Sequence, residues 1–139
     1  MNKKYQEILK KAGIRPSIQR MAIYSWLYEN PIHPDVETVY NALYSIYPSL
    51  SKTTVYNTLK LFEEQNIIRS IKIEDDKLRF DAEMKNHLHF KCNGCNNIFD
   101  IFTGSKSDAE LAEENLPSGF QMQRIQTNLW GLCPQCANK

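Results

Sequence analysis

The four cysteines of the chain fall into two pairs at the same spacing, Cys92 with Cys95 in CNGC and Cys133 with Cys136 in CPQC. Nothing else in the sequence restricts the fold as strongly. A tight turn of this kind lets two thiolates grip one tetrahedral ion, and two such turns complete a closed four-thiolate site of the structural Zn(II) type. Residues 96–132 lie between the knuckles, more than a compact zinc ribbon allows, so the turns must meet through the tertiary fold. Two other uses of paired cysteines compete. Disulfides are disfavoured in a chain read as cytosolic, and redox dithiols lack the βαβ pattern that normally carries them. The segment that holds the knuckles, residues 81–139, is small for a domain stabilised by core burial alone. A structural zinc contributes on the order of 10 kcal/mol to folding, enough to make up the shortfall.

Of 139 residues, 42% are hydrophobic and 24% charged, and no apolar run approaches the length of a membrane span. The opening MNKKYQEILKK is charged and amphipathic, without the apolar centre of a secretory signal. The expectation is a cytoplasmic globular protein that does not engage a membrane. Its net charge of +1 conceals an asymmetry: residues 1–80 carry 12 Lys/Arg against 9 Asp/Glu, and residues 81–139 carry 5 against 7. Within the first 60 residues the balance is 8 against 4, from Lys3, Lys4, Lys10, Lys11, Arg15, Arg20, Lys52 and Lys60. That is a modest footprint for a polyanion, and by itself it describes a solvated surface equally well.

Four helical patterns fill this basic part. Tyr5, Ile8, Leu9 and Ala12 form the first stripe, ended by Gly13. Ile18, Met21, Ala22 and Leu27 form the second, which opens at RPS and stops near ENP. Val36, Val39, Tyr40 and Leu43 form the third, between Pro34 and Pro48. Ser51 then caps a fourth helix with Val55, Leu59 and Phe62 on its buried side. Opposite that stripe lie Lys52, Thr53, Tyr56, Asn57 and Lys60, a polar helical face with no acidic residue. Asn and Thr can reach base edges, Tyr a phosphate or thymine methyl, and Lys neutralises phosphate, although a solvated helix face has the same spacing. After Asn66 the period changes to alternation, with Ser70 and Lys72 between Ile71 and Ile73, then the polar turn EDDK, then LRFD. Helix, turn, helix and hairpin predict a winged helix-turn-helix over residues 1–80, a fold that does not by itself license a function.

From residue 81 onward HLHFK, NIFDIF, GFQMQRIQ and NLWGL read as strands, with one helix over roughly 107–116. The class is therefore α+β: a winged-helix domain over 1–80 and a small α+β domain with the four-cysteine zinc site over 81–139. The chain has three histidines. His87 and His89 alternate on one strand, so both rings face the same side. Asp100 follows the first knuckle, Asp81 sits at the domain junction, and His33 lies in NPIHPD. Each has an ordinary reading, His33 as a helix-start residue, Asp81 as a turn cap, and His87 and Asp100 as either ligands or plain polar residues. Together they supply a nitrogen and oxygen donor set that suits Fe(II), Mn(II), Zn(II) or Ni(II), where thiolates select zinc. The stretch HLHFKCNGCNNIFD thus contributes to two different metal sites.

The runs HPDVETVYNAL, SKTTVYNTLKLF, the hairpin ending in RFD, HLHFKCNGCNNIFD and GLCPQC, in that order, resemble the ferric uptake regulator family across almost the whole chain, and within it the peroxide-sensing regulators. The resemblance implies a homodimeric winged-helix repressor of double-stranded DNA with a palindromic operator, and a dimerisation role for the C-terminal domain. It implies that Cys92, Cys95, Cys133 and Cys136 hold structural Zn(II), and that His33, Asp81, His87, His89 and Asp100 hold a regulatory Fe(II) or Mn(II). Asp at position 100 is similar to the peroxide sensors, where iron-responsive relatives usually have Glu. In those sensors Fe(II) and hydrogen peroxide oxidise a ligating histidine, so His33 and His87 are the oxidation-sensitive positions implied here. The residues expected at the DNA are Lys11, Arg15, Arg20, Lys52, Thr53, Thr54, Tyr56, Asn57 and Lys60.

The sequence departs from the family at two places. RPSIQR stands where many members have Thr-Pro before Gln-Arg, and Ile125 and Asn128 stand where many place a His and an acid for an additional metal site, which is not expected here. Two other functions compete with peroxide sensing. One keeps the fold and responds to iron, zinc or manganese availability without reacting with peroxide. The other is an enzyme with an open catalytic metal; five donors leave little room for substrate and no nucleophile or base pattern accompanies them, so no enzymatic activity is expected.

Overall fold

Four helices, α1 (Lys3–Lys11), α2 (Ile18–Glu29), α3 (Val36–Leu43) and α4 (Lys52–Glu64), turn their apolar stripes onto one core in which Leu9, Ile23, Val39, Val55, Leu59 and Phe62 are sealed from solvent. The structure is a computed structural model that describes residues 3–85, 87–103 and 108–139. It divides into two compact units, Met1–Met84 and Lys85–Lys139. Each fully buried aliphatic or aromatic side chain contributes about 1.5–3 kcal/mol relative to exposure, so the helical core dominates the first unit. Its helices start at side-chain caps: Ser17, Asp35 and Ser51 accept from the N–H groups of Arg20, Thr38 and Thr54. Gly13 ends α1 with φ 78°, a left-handed value that costs glycine little.

One residue of the expected stripes is misplaced. Ile18 is exposed, and the buried side of α2 is Met21, Ala22, Ile23, Tyr24 and Leu27. As the first residue after the cap, Ile18 lies where the helix has not yet reached the core. Two short antiparallel strands follow α4, β1 (Arg69–Ile71) and β2 (Arg79–Asp81), with Arg69 opposite Asp81. The helices and this hairpin form the winged-helix arrangement. Asp81, read from sequence as the start of the second domain, ends β2 and is tied by its strand pairing to the first unit.

The second unit is a three-stranded sheet of β3 (His87–Cys92), β4 (Ile98–Phe102) and β5 (Asn128–Gly131) in the order β4-β3-β5. β3 pairs antiparallel with β4 and parallel with β5. Helix α5 (Asp108–Asn115) and the single turn α6 (Pro134–Ala137) complete it; position 107, included in the sequence expectation for α5, lies outside the described residues. The expected strand GFQMQRIQ is irregular. Residues from Asn128 onward occupy the second edge of β3, so the alternating segment before them is kept off that strand.

Pleating gives this sheet two unlike faces. The register puts His87, His89, Asp100 and Asn128 on one side, which also carries Phe102 and Trp130, and the wholly apolar set Leu88, Phe90, Phe99, Ile101 and Leu129 on the other. The apolar side is only partly covered, and Phe99, Ile101 and Leu129 remain exposed.

Candidate metal centres

The two cysteine knuckles are built by turns at one end of the sheet. The first joins β3 to β4, and the second joins β5 to α6, with Cys133 as the residue before Pro134. Parallel pairing of β3 with β5 sets Cys92 beside Gly131 and so brings the turns together. One sulfur from each of Cys92, Cys95, Cys133 and Cys136 lies within 4.8 Å of the others. The Cys95 and Cys133 sulfurs are 3.9 Å apart. A disulfide requires about 2.05 Å. A tetrahedral ion with bonds of about 2.3 Å to sulfur needs an S–S edge near 3.8 Å. The four-cysteine cluster therefore fits structural zinc.

Backbone N–H groups prepare the site. The amides of Gly94, Cys95 and Cys133 point at the Cys92 sulfur from 3.3, 3.5 and 3.3 Å. The Cys133 amide, with help from Cys95 and Gly94, holds the Cys92 thiol down to about 6, so that it is a thiolate at neutral pH. Cys136 is pushed up to about 12, first by its hydrogen bond to Cys92 and then by that to Cys133. One sulfur ready as an anion and a neighbour that resists ionisation is the pattern of thiols crowded around a place for a cation.

The polar side of the same sheet carries the second donor group. His87 and His89 are both buried, and their Nε2 atoms approach to 3.0 Å. Asp100, opposite His89 on β4, places Oδ1 3.5 Å from His87 Nε2 and 3.7 Å from His89 Nε2. Bonds of about 2.1 Å put neighbouring ligands roughly 3.0 Å apart in an octahedron and 3.4 Å apart in a tetrahedron. The donor triangle spans that range. His87 Nδ1 lies 2.6 Å from the carbonyl of Lys85, which can only accept, so Nδ1 carries the proton and Nε2 is left with a lone pair. This is the arrangement that fixes the tautomer of metal-ligating histidines.

In the first unit His33 and Asp81 form a buried pair, with His33 Nε2 3.7 Å from Asp81 Oδ2. The other Asp81 oxygen accepts from the Glu83 amide at 2.9 Å, so the residue caps a turn and faces a histidine at once. His33 adopts φ 57°, a left-handed value uncommon for a residue with a side chain. All five donors are nitrogen or oxygen, the set suited to Fe(II), Mn(II) or Zn(II).

The residues expected at DNA occupy the first unit. Lys52, Thr53, Tyr56, Asn57 and Lys60 are exposed on α4, while Thr54 is half-buried and closes the Ser51 cap. Thr58, which the sequence reading did not place, is buried with Val55, Leu59 and Phe62. Arg20 joins Thr54 and Asn57 around a shallow groove of about 270 Å³ that Ser17, Gln19, Thr58 and Leu61 also line. Lys11 and Arg15 are exposed near the α1–α2 turn. From Lys52 to Lys60 this face carries no acid, but Glu64 lies one turn further along the same side, and Glu37 of α3 reaches Lys52 at 2.9 Å and partly neutralises it. Sequence periodicity could not reveal that partner, because it comes from another helix.

The model of the ferric uptake regulator family matches residues 11–129. A peroxide operon regulator of Bacillus subtilis is 31% identical over 133 residues, 96% of this chain and 91% of that protein. A peroxide-responsive repressor, PerR, of Staphylococcus aureus is 30% identical over 131 residues, 94% of this chain and 88% of that one. Among solved structures, a peroxide stress regulator of Campylobacter jejuni superposes with a TM-score of 0.67 at 26% identity, covering 98% of this chain and 100% of its own. Since the family model spans most of the chain and relatives 30–31% identical match it over almost its whole length, the chain belongs to the ferric uptake regulator family.

Proposed function

We propose that the chain is a metal-dependent, DNA-binding transcriptional repressor of the cytoplasm that responds to hydrogen peroxide. The observation that carries this reading is the donor triangle of His87, His89 and Asp100, with the Lys85 carbonyl fixing the His87 tautomer. The names of the two bacterial relatives at 30–31% identity support peroxide as the signal. No helix among the described residues is long and apolar enough to cross a membrane, in keeping with a DNA-binding role.

In this reading Cys92, Cys95, Cys133 and Cys136 hold structural Zn(II). His33 and Asp81 from the first unit and His87, His89 and Asp100 from the second hold one regulatory ion, Fe(II) or Mn(II). A ligand set drawn from both units favours one arrangement of them. The DNA-binding form must then bind metal more tightly than the others, and DNA must raise metal affinity by the same factor. A coupling of about 3 kcal/mol changes DNA affinity about 150-fold. Held there, Fe(II) would supply one-electron reduction of hydrogen peroxide to hydroxide and hydroxyl radical, being itself oxidised to Fe(III), chemistry that Mn(II) would not supply. His33 and His87 are the side chains placed to be oxidised, and an oxidised imidazole is a poorer ligand.

The half-exposed apolar side of the β4-β3-β5 sheet supports a homodimer built through the second unit. The exposed polar face of α4, with Arg20 at the same groove, supports entry of α4 into a major groove. A two-fold dimer then reads a palindromic operator whose half-sites lie about one helical turn, near 34 Å, apart.

The test is a DNA-binding titration at stated salt with Mn(II) or Fe(II), with and without hydrogen peroxide, followed by mass spectrometry. Binding should require either metal, peroxide should abolish it with Fe(II) alone, and one added oxygen should appear on His33 or His87. Metal-dependent binding that is indifferent to peroxide in both forms makes the chain a metal-availability regulator instead. Oxygen added only to cysteine removes the histidine-based mechanism.

A further inference from the structure

Arg79 and Glu74 have no part in the site as described, yet both are largely buried in the first unit. Arg79 Nε bonds Glu74 Oε1, and Nη2 lies 3.3 Å from Glu74 Oε2. The remaining arm of the guanidinium, Nη1, donates to the main-chain carbonyl of His33 at 2.9 Å. One residue further along β2, the Phe80 amide donates to the carbonyl of Pro34 at the same distance. The left-handed segment at His33 is therefore stitched to β2 by two consecutive residues, 79 and 80.

The conformation needs this support. A residue before proline favours extended backbone, and a side-chain-bearing residue at positive φ persists only where its surroundings over-determine it. Arg79 and Asp81 are two apart on one strand and share a face. The same short strand thus supplies one donor, Asp81, and grips the backbone that carries another, His33. A buried ion pair is a weak source of stability, since its desolvation offsets its attraction. The planar arginine fork instead provides fixed directions: two bonds aim it at Glu74 and leave the third on one carbonyl. Lysine has no such geometry.

We propose that Arg79 is the positioning residue for His33, holding its imidazole toward Asp81, and that Glu74, in the loop between the two hairpin strands, is the anchor that aims Arg79. The inference rests on the reading of His33 as a ligand of the regulatory ion. Through it, the hairpin loop sets the affinity of the metal site although it contributes no donor.

The experiment measures Mn(II) binding to the full-length, zinc-loaded protein without DNA, by the electron paramagnetic resonance signal of free Mn(II). The variants are His33→Ala, Arg79→Gln, Glu74→Gln and the His33→Ala/Arg79→Gln double. Loss of a partner that orients a ligand costs about 10-fold or more in metal affinity, and Arg79→Gln is expected to weaken binding by that amount. Glu74→Gln should weaken it in the same direction by a smaller factor. In the His33→Ala background Arg79→Gln should have less than about a twofold further effect, because the residue acts through His33. Wild-type affinity in Arg79→Gln alongside weakened binding in His33→Ala overturns the positioning role alone. An undiminished Arg79→Gln effect in the His33→Ala background also overturns it, by showing general destabilisation. Wild-type affinity in His33→Ala removes the ligand assignment and the positioning role together. Zinc content and thermal unfolding report folding; if Arg79→Gln does not fold, Glu74→Gln is judged by the same criteria, alone and with His33→Ala.

Discussion

Replacing Gly94 with alanine is the most local way to break the zinc cluster without removing a ligand. A Cβ at this position falls 2.8 Å from both Cβ and Sγ of Cys136 and 3.5 Å from a methyl of Leu132. Carbon atoms in contact prefer about 3.5–4.0 Å, so the knuckle and the Cys136 side chain must separate by roughly 0.7–1.2 Å. Bonds to the metal tolerate about 0.2 Å. Cys136 cannot swing away freely, because its sulfur is one of the four that lie within 4.8 Å of each other. The displacement is thus several times what the site absorbs, and zinc affinity should fall by about 10- to 100-fold, the range seen when a ligand's support is removed. That factor is about 1.4–2.7 kcal/mol at fixed free zinc. For a unit of 60–100 residues it lowers Tm by about 6–20 °C. Chelator competition measures the affinity and thermal unfolding of the zinc-loaded form measures the consequence. Asn93→Ala is the control, an exposed neighbour whose recorded bond is through its backbone to Gly131. Zinc affinity in Gly94→Ala within twofold of the parent protein refutes the close-approach account.

Two other perturbations separate recognition from folding. Lys60→Ala, which removes an exposed cation from α4, should weaken DNA binding about equally on all sequences and reduce the salt slope by about 1, whereas Asn57→Ala should relax preference at one base pair by about 1–3 kcal/mol; competition binding at several salt concentrations distinguishes the two. Burial, then the neighbouring Tyr28 and Tyr5, push the Tyr24 hydroxyl up to about 12. An acid whose folded value is raised contributes stability that is complete below the unfolded value near pH 10 and lost as the pH climbs from there toward 12. Urea midpoints should fall over that window in the parent protein and fall less in Tyr24→Phe; equal slopes would show that Tyr24 is not the group responsible.

What could be read from sequence was what depends on local spacing. Ser51 caps α4 as expected, and Val55, Leu59 and Phe62 line its buried side, because a helix imposes one period on both. Each cysteine knuckle was legible for the same reason, a tight turn being a local object, whereas the pairing of β3 with β5 that joins the two is not local. Ile18 failed because periodicity says which residues share a face, not where along the helix the core begins. Residues 119–126 failed because a strand needs an edge to pair with, and β3 offers its second edge only to Asn128–Gly131. His33 could be named from a family pattern, but its backbone shape and its grip by Arg79 could not. Those contacts join residues 46 positions apart, and no local rule couples them.

The two donor sets also differ in how they are held, and the difference suits opposite tasks. The cysteine sulfurs sit on turns of a single unit that the pairing of β3 with β5 brings together, and one of them, Cys92, receives backbone N–H bonds from three residues. Such a site closes a fold and has no second arrangement to switch to. The nitrogen and oxygen ligands proposed for the regulatory ion are drawn from both units, and each unit orders its own by a local device: the Lys85 carbonyl behind His87, and the Arg79–Glu74 pair behind His33. A ligand that is already oriented loses little entropy when an ion binds. The same ordering makes the site vulnerable. On the proposed reading, a single oxygen atom on His33 or His87 would weaken one ligand of the regulatory ion while leaving the four cysteine sulfurs of the other site untouched.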